Sequence, residues 1–155
     1  MGALKDQLKA ELVTAMKAHD DLARGTIRMA LAAIHTEEVA GESARELSDA
    51  EELGVLTKEV SKRKDSAEAY ISGGRQELAD KELAEADFLA KYLPAPLTSD
   101  EISKIIDEEV AAATDAEGNK PSMRQMGQVM KAVTASTQGR ADGKTVSGLV
   151  RAALA

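Results

Sequence analysis

Apolar residues recur at three- and four-residue spacing along nearly the whole chain, a pattern that predicts helices rather than strands. Leu4, Leu8, Leu12 and Ala15 or Met16 predict a first helix over 3–19. Ile27, Leu31 and Ile34 predict a second over 21–39, with Gly25 weakening its first turn and Gly41 ending it. Ser48-Asp49-Ala50-Glu51 has the form of a capping box. It opens a third helix that runs to 72 with Leu53, Leu56, Val60, Ala67 and Ile71 inward, and Gly73-Gly74 supplies the left-handed stop. A fourth helix over 75–93 carries Ala79, Leu83, Ala86, Ala90 and Leu93 as a near-heptad seam suited to antiparallel packing.

Pro94-Ala95-Pro96 is the sharpest break, because proline fixes φ and forces the preceding residue out of helical geometry. A domain boundary is expected there, separating 1–94 from 95–155. Thr98-Ser99-Asp100-Glu101 repeats the capping-box pattern, with Leu97 and Ile102 placed as a hydrophobic staple. The fifth helix then runs to about 113 with Ile102, Ile105, Ile106 and Val110 inward. A polar loop follows over 114–121. Ser122 and Gln125 open a sixth helix to about 136, Gly139 marks its exit, and Asp142 is placed to cap a seventh over 143–154. The expected fold is all-α: an N-terminal bundle of about four helices joined to a C-terminal three-helix domain.

Aromatic residues make up 2% of the chain, so its core must be aliphatic and alanine-rich. There is no cysteine, which removes disulfides, thiolate metal sites and cysteine nucleophiles. Residues 1–7 contain no apolar core of signal-peptide length, and Met1-Gly2 is not followed by the Ser or Thr of a myristoylation signal. No run reaches the roughly 18 apolar residues of a membrane span. A cytoplasmic protein without membrane contact is therefore expected. The net charge of −7 hides an asymmetry: residues 118–155 hold six basic residues and a single acid, Asp142, for a local net of +5.

Four stretches carry a resemblance. They are Arg75-Gln76-Glu77-Leu78-Ala79, Tyr92-Leu93-Pro94-Ala95-Pro96-Leu97, Met126-Gly127-Gln128-Val129-Met130-Lys131-Ala132 and Gly139-Arg140-Ala141-Asp142-Gly143-Lys144-Thr145-Val146. Together they resemble the GatB/YqeY family in its stand-alone YqeY-like form. The C-terminal part is similar to the tail of the B subunit of glutamyl/aspartyl-tRNA amidotransferase. The resemblance implies a helical bundle followed by a three-helix tail, and a tail that helps to hold tRNA while other domains perform the chemistry.

On the sixth helix, a 100° step per residue puts Met123, Met126, Met130 and Val133 on one face, with Arg124, Gln128 and Lys131 opposite and Gly127 at the edge. On the seventh, Val146, Leu149, Val150 and Ala153 face inward, and Lys144, Gly148 and Arg151 face outward. Each helix thus carries two cations about 10 Å apart with a glycine between them, and glycine lets a sugar-phosphate strand approach closely. Lys120 and Arg140 flank these helices. The candidate nucleic-acid-binding residues are accordingly Lys120, Arg124, Gly127, Lys131, Arg140, Lys144, Gly148 and Arg151. Two other readings stay open for them: ordinary solvated surface for the cations, and close helix–helix packing for the glycines.

Lys58, Lys62, Arg63 and Lys64 are surrounded by acids and are expected to form a solvated face with i,i+4 pairs. The methionines at 123, 126 and 130 are expected in the core. His19 and His35 are isolated, so no metal and no cofactor are assigned. No nucleophile–base pair and no phosphate-cradling glycine loop are visible, which speaks against a glutamine-dependent carbon–nitrogen ligase even though the family name carries that chemistry. The favoured expectation is a non-catalytic tRNA-binding accessory module. Its alternatives are a protein–protein adaptor docking on an amidotransferase or another tRNA-handling protein, and the ligase itself.

Overall fold

A computed structural model of the chain describes residues 2–137, 140–141 and 143–155. Its described residues form seven α-helices and one short 3-10 turn, with no strand among them. The helices are α1 (Ala3–Lys17), α2 (Asp21–Glu38), α3 (Asp49–Ser72), α4 (Gln76–Ala90), α5 (Ser99–Ala113), α6 (Met126–Thr137, preceded by the 3-10 turn Met123–Gln125) and α7 (Gly143–Leu154). They fall into two compact units, Met1–Pro94 and Ala95–Ala155. Among the described residues no helix is long and apolar enough to cross a membrane.

In the first unit, α1 ends two residues earlier than its apolar spacing suggests. His19 turns left-handed at φ 54°, and the Asp20 amide donates back to the Ala15 carbonyl (3.0 Å). Asp20 then caps α2 by accepting from the Ala23 amide (3.1 Å). The opposite end of α1 is capped from outside. The Ala3 amide donates to Asp49 (2.9 Å) and the Lys5 amide to Glu52 (3.3 Å), both carboxylates belonging to the first turn of α3. Two helix N-termini therefore share one set of anions, where the backbone dipoles favour them. Glu52 is fully buried, and burial pushes its carboxyl pKa up. A Cβ on Gly2 would fall 1.6 Å from a Glu52 oxygen, so a larger residue there would push the Glu52 carboxylate aside. Lys5 also reaches Glu38 at the end of α2 (2.6 Å).

The α3–α4 hairpin turns at Gly74 (φ 73°), where the Arg75 amide donates to the Tyr70 carbonyl (2.8 Å) and the Gly74 amide to Ile71 (3.1 Å). Arg63 corrects the expectation of a solvated basic face. Its side chain is 4% exposed and donates to Glu59 Oε2 on its own helix (2.8 Å) and to Glu85 Oε2 on α4 (3.2 Å). Its last nitrogen meets the Met29 sulfur of α2 (3.5 Å). Lys62 does pair with Glu59 on the surface (3.3 Å). Turning Glu85 inward rotates the buried face of α4 onto Ala79, Ala86 and Leu89, which leaves Leu83 and Ala90 exposed rather than in the seam. Ile71 is likewise exposed. Among the described residues, the buried apolar side chains of the hairpin beyond Val60 and Ala86 are Ala67 and Ala79, too small to cover it. The core itself joins Leu8, Ile27, Ile34, Leu56 and Leu89 through Ala15, Ala23, Ala30 and Ala86, while Leu12, Leu31 and Leu53 are half-buried around it and Met16 is exposed.

In the second unit, α5, α6 and α7 each pack on the other two around Ile102, Ile106, Val129, Val133, Val146, Val150 and Leu154. Both ends of the expected capping box are made at Thr98 and Glu101, and Leu97 packs on the same core as Ile102. Met123 is exposed, not core, because the 3-10 turn advances three residues per turn and throws it off the α6 stripe. Val129 takes the buried place, with Met126 and Met130 half-buried beside it. Leu154 replaces Ala153 at the end of α7. The expected helix exit at Gly139 and cap at Asp142 lie outside the described residues.

Replacing Arg63 with Ala strands Glu85 and leaves Glu59 to Lys62 alone. Breaking a buried ion cluster of this kind costs about 3–5 kcal/mol, so the urea midpoint of Arg63→Ala is expected to fall steeply, while Lys64→Ala on the exposed side of the same helix leaves it almost unchanged.

A pH dependence also follows. Arg45 and the Ser48 amide hold the Glu51 carboxyl at about 2, below its ordinary value of 4.5. A carboxyl depressed in the folded state contributes stability that is present above 4.5 and lost as pH falls toward 2. Urea titrations at intervals across that window should show a shallower acid loss for Glu51→Gln than for the parent protein.

Candidate functional site

The second unit separates its charges by helix. α5 carries Asp100, Glu101, Asp107, Glu108 and Glu109 with one cation, Lys104, whereas residues 118–155 carry the six cations singled out above. Each of those cations reaches the surface by a definite local device. Lys120 leaves a closed turn in which Asp115 accepts from the amides of Glu117 (3.0 Å) and Asn119 (2.9 Å) and Gly118 supplies φ 85°. Those amides, that of Asn119 foremost, hold the Asp115 carboxyl below its ordinary value. Arg124 stands in the 3-10 turn, whose start is fixed by Ser122 and Gln125 capping each other. Gln125 Oε1 accepts from the Ser122 amide (2.7 Å), and the Arg124 amide donates to Ser122 Oγ (3.3 Å).

Lys131 lies on the outer face of α6, and Lys144 and Arg151 on the outer face of α7. Lys120, Arg124, Lys131 and Arg151 are exposed, and none has an acidic side chain within ion-pair distance among the described residues. Such cations are exposed to solvent and open to an external anion.

Arg140 behaves differently from the residues it was grouped with. Its carbonyl accepts from the Leu97 amide (2.7 Å), and its Nε donates to the Ala95 carbonyl (3.3 Å). It fastens the segment entering α5 to the connection between α6 and α7, a role invisible in the sequence because both partners are backbone groups some 45 residues away. It also adds a small pull on Glu101, whose carboxyl is held low chiefly by the Thr98 amide. Its guanidinium remains on the surface.

The two glycines are exposed, and a Cβ built on Gly127 or Gly148 meets nothing within 4 Å. Helix–helix packing within this chain therefore does not require them. Each leaves a bare patch of helix backbone between cations at the cost of helix propensity. The structure leaves Gly127 and Lys131 exposed along α6 with Arg124 exposed in the turn before it, and Lys144, Gly148 and Arg151 exposed along α7. Both faces lie opposite the stripes that meet in the shared core, so their outward directions diverge around the bundle. A ligand touching both must wrap around the unit or span its edge.

If the glycines serve no internal contact, Gly127→Ala and Gly148→Ala are each expected to raise the unfolding free energy by about 0.5–1 kcal/mol. Urea denaturation of the two single variants checks this, and a loss of stability would reveal a packing role.

Residues 5–154 match the family model described as Yqey-like protein. Altered inheritance of mitochondria protein 41, mitochondrial, of Saccharomyces cerevisiae (strain ATCC 204508 / S288c) is 36% identical over 111 residues, which cover 70% of this chain and 57% of that protein. The protein of that name in Kluyveromyces lactis is 32% identical over 146 residues, covering 94% and 72% of the two chains. Its counterpart in Vanderwaltozyma polyspora is 32% identical over 116 residues, covering 74% and 62%. The aligned part thus spans under three fifths of the S. cerevisiae relative. These relatives are by name mitochondrial, which overturns the expectation of a cytoplasmic protein. That expectation rested on the lack of an apolar leader, whereas mitochondrial targeting relies on amphipathic basic segments.

Proposed function

Because the chain belongs to the YqeY-like family, we propose that its 95–155 unit is a non-catalytic, tRNA-binding accessory module, related in role to the tail of a tRNA-dependent amidotransferase. The observation that carries this reading is the set of exposed cations without acidic partners, Lys120, Arg124, Lys131 and Arg151, arranged beside glycines that the fold does not need. Lys144 and Arg140 lie among them and complete the basic surface. Unpaired lysines and arginines along a bare helix suit phosphate oxygens, which need point charges and close approach more than shape. A tRNA offers such oxygens on both sides of a narrow domain, which fits two diverging faces. The partner in the cell would be tRNA itself or a tRNA already held by an amidotransferase or another tRNA-handling protein.

Binding through phosphates releases counterions. Four neutralised phosphates give a drop of roughly three log units in affinity per log unit of salt. A mobility-shift titration of purified protein with tRNA at several salt concentrations is expected to show that slope. Arg124→Ala, Lys131→Ala and Arg151→Ala should each weaken retention and reduce the slope by about one, with helical content unchanged. Gly148→Ala should weaken retention while stabilising the fold. No retention at low salt would end this reading.

A further inference from the structure

Two buried side-chain oxygens lack a hydrogen-bond partner among the described residues, Thr26 Oγ1 and Glu52 Oε2. The first belongs to a neutral hydroxyl; the second belongs to a group that ionises. Glu52 is 0% exposed and lies in the first turn of α3, facing the start of α1. Its carboxyl accepts from the Lys5 amide through Oε1 (3.3 Å). Gly2 covers it so closely that a Cβ there would overlap both oxygens and the carboxyl carbon. The cover is thus bare backbone, and Gly2 has no side chain to unpack when it lifts.

The charges around Glu52 do not neutralise it. From α1, the Lys5 ammonium is committed to Glu38 at the end of α2 (2.6 Å). Glu38 is itself an acid, and on α3 Asp49 stands three residues before Glu52, accepting from the Ala3 amide (2.9 Å). Glu46, in the segment before α3, faces Lys5 and Glu38. His35 is 71% exposed and reaches Glu38 (3.6 Å) rather than Glu52. Glu52 is left with one long amide contact and acidic neighbours on two helices. A carboxylate sealed from water in such a setting costs far more than the protonated acid. Burial accordingly raises its pKa, and the Lys5 amide offsets only part of the rise.

We propose that Glu52 is a proton-operated latch: protonated, it lets the first turn of α1 close over it, and ionised, it draws water to its unpartnered oxygen and releases residues 2–5 from α3. The proton passes to solvent as the turn opens and returns when it closes. A carboxyl that the closed fold keeps protonated contributes stability that is fully present below its ordinary value of 4.5 and is lost as pH rises through its value in the closed state. Between those limits the turn opens about tenfold more often per pH unit, and above them the opening levels off. Glu51 acts in the opposite sense and below 4.5, so the two windows do not overlap. The latch lies in the first unit and does not depend on RNA binding by the second.

The test is nuclear magnetic resonance on the full chain from about pH 4 to about pH 8, a range spanning the ordinary glutamate value and any rise above it. The Glu52 carboxyl carbon is expected to titrate above 4.5. Hydrogen-exchange protection factors of the Lys5 and Asp6 amides should fall through the same range, staying well below that of the core Leu56 amide. Glu52→Gln, which cannot ionise, should remove the pH step and leave the turn closed. Gly2→Ala should act in reverse: its Cβ displaces the carboxyl, so the Glu52 midpoint moves back toward 4.5 and the two amides exchange fast at every pH while Leu56 stays protected. This variant and the parent titration decide the matter even where Glu52→Gln folds poorly. The proposal is overturned if Glu52 titrates at the ordinary value in the parent protein, or if the protection of Lys5 and Asp6 is flat with pH. A step that survives Glu52→Gln, or that His35→Gln abolishes, overturns it by assigning the titration to another group. Equal protection of Lys5, Asp6 and Leu56 also overturns it, because the whole unit would then be opening rather than one turn.

Discussion

The first unit depends on one buried cation. Arg63 sits in the middle of α3, satisfied by Glu59 below it, by Glu85 across the hairpin and by the sulfur of Met29 on α2. A chain with so few aromatic residues has little bulk with which to fix the register of two long antiparallel helices. Alanine-lined seams such as Ala67 and Ala79 let the helices approach closely, but they slide without strong penalty because alanine offers no distinctive shape. An ion cluster does not slide. Moving α4 by one turn relative to α3 would part Glu85 from Arg63 and leave that carboxylate desolvated without its partner, at a cost of several kcal/mol. The cluster thus supplies the specificity that the small-residue core lacks, and it rotates α4 enough to decide which of its apolar residues are buried.

The same economy governs the helix ends. Asp49 and Glu52 act on two helices at once, closing the start of α1 while lying in the first turn of α3. Glu52 is the tighter half of this arrangement, fully buried against Gly2, and one of its oxygens has no hydrogen-bond partner among the described residues. The favourable field of two helix N-termini offsets part of the desolvation that raises its pKa.

Local signals made much of this legible in the sequence. The boxes at Ser48/Glu51, Thr98/Glu101 and Ser122/Gln125 and the left-handed stop at Gly74 are each written within four residues, and each is present in the fold. Features set by partners far along the chain were not legible. Arg63 looks like its neighbours Lys62 and Lys64 until Glu85, 22 residues away, turns toward it. Leu83 and Ala90 satisfy a helical period as well as Leu89 does, and only the rotation imposed by Glu85 separates them. Met123 fails for a different reason: a capping box fixes where a helix starts but not whether its first turn is α or 3-10. In the candidate site the exposure of the cations could be read from periodicity. The backbone clasp made by Arg140 could not, and neither could the divergence of the two basic faces, which follows from all three helices sharing one core.

Net charge is a poor guide to what the second unit attracts. Its cations and acids nearly balance, yet they lie on different helices, so the unit has a basic side and an acidic side rather than a diffuse near-neutral surface. At physiological ionic strength charges are screened beyond about 8 Å. A polyanion resting against Lys131 or Arg151 would therefore respond to the side chains at its own surface far more than to acids on the far side of α5. At low salt the screening weakens, and the overall negative charge of the chain begins to oppose approach even as each contact grows stronger. Electrostatic attraction at such a surface is short-ranged.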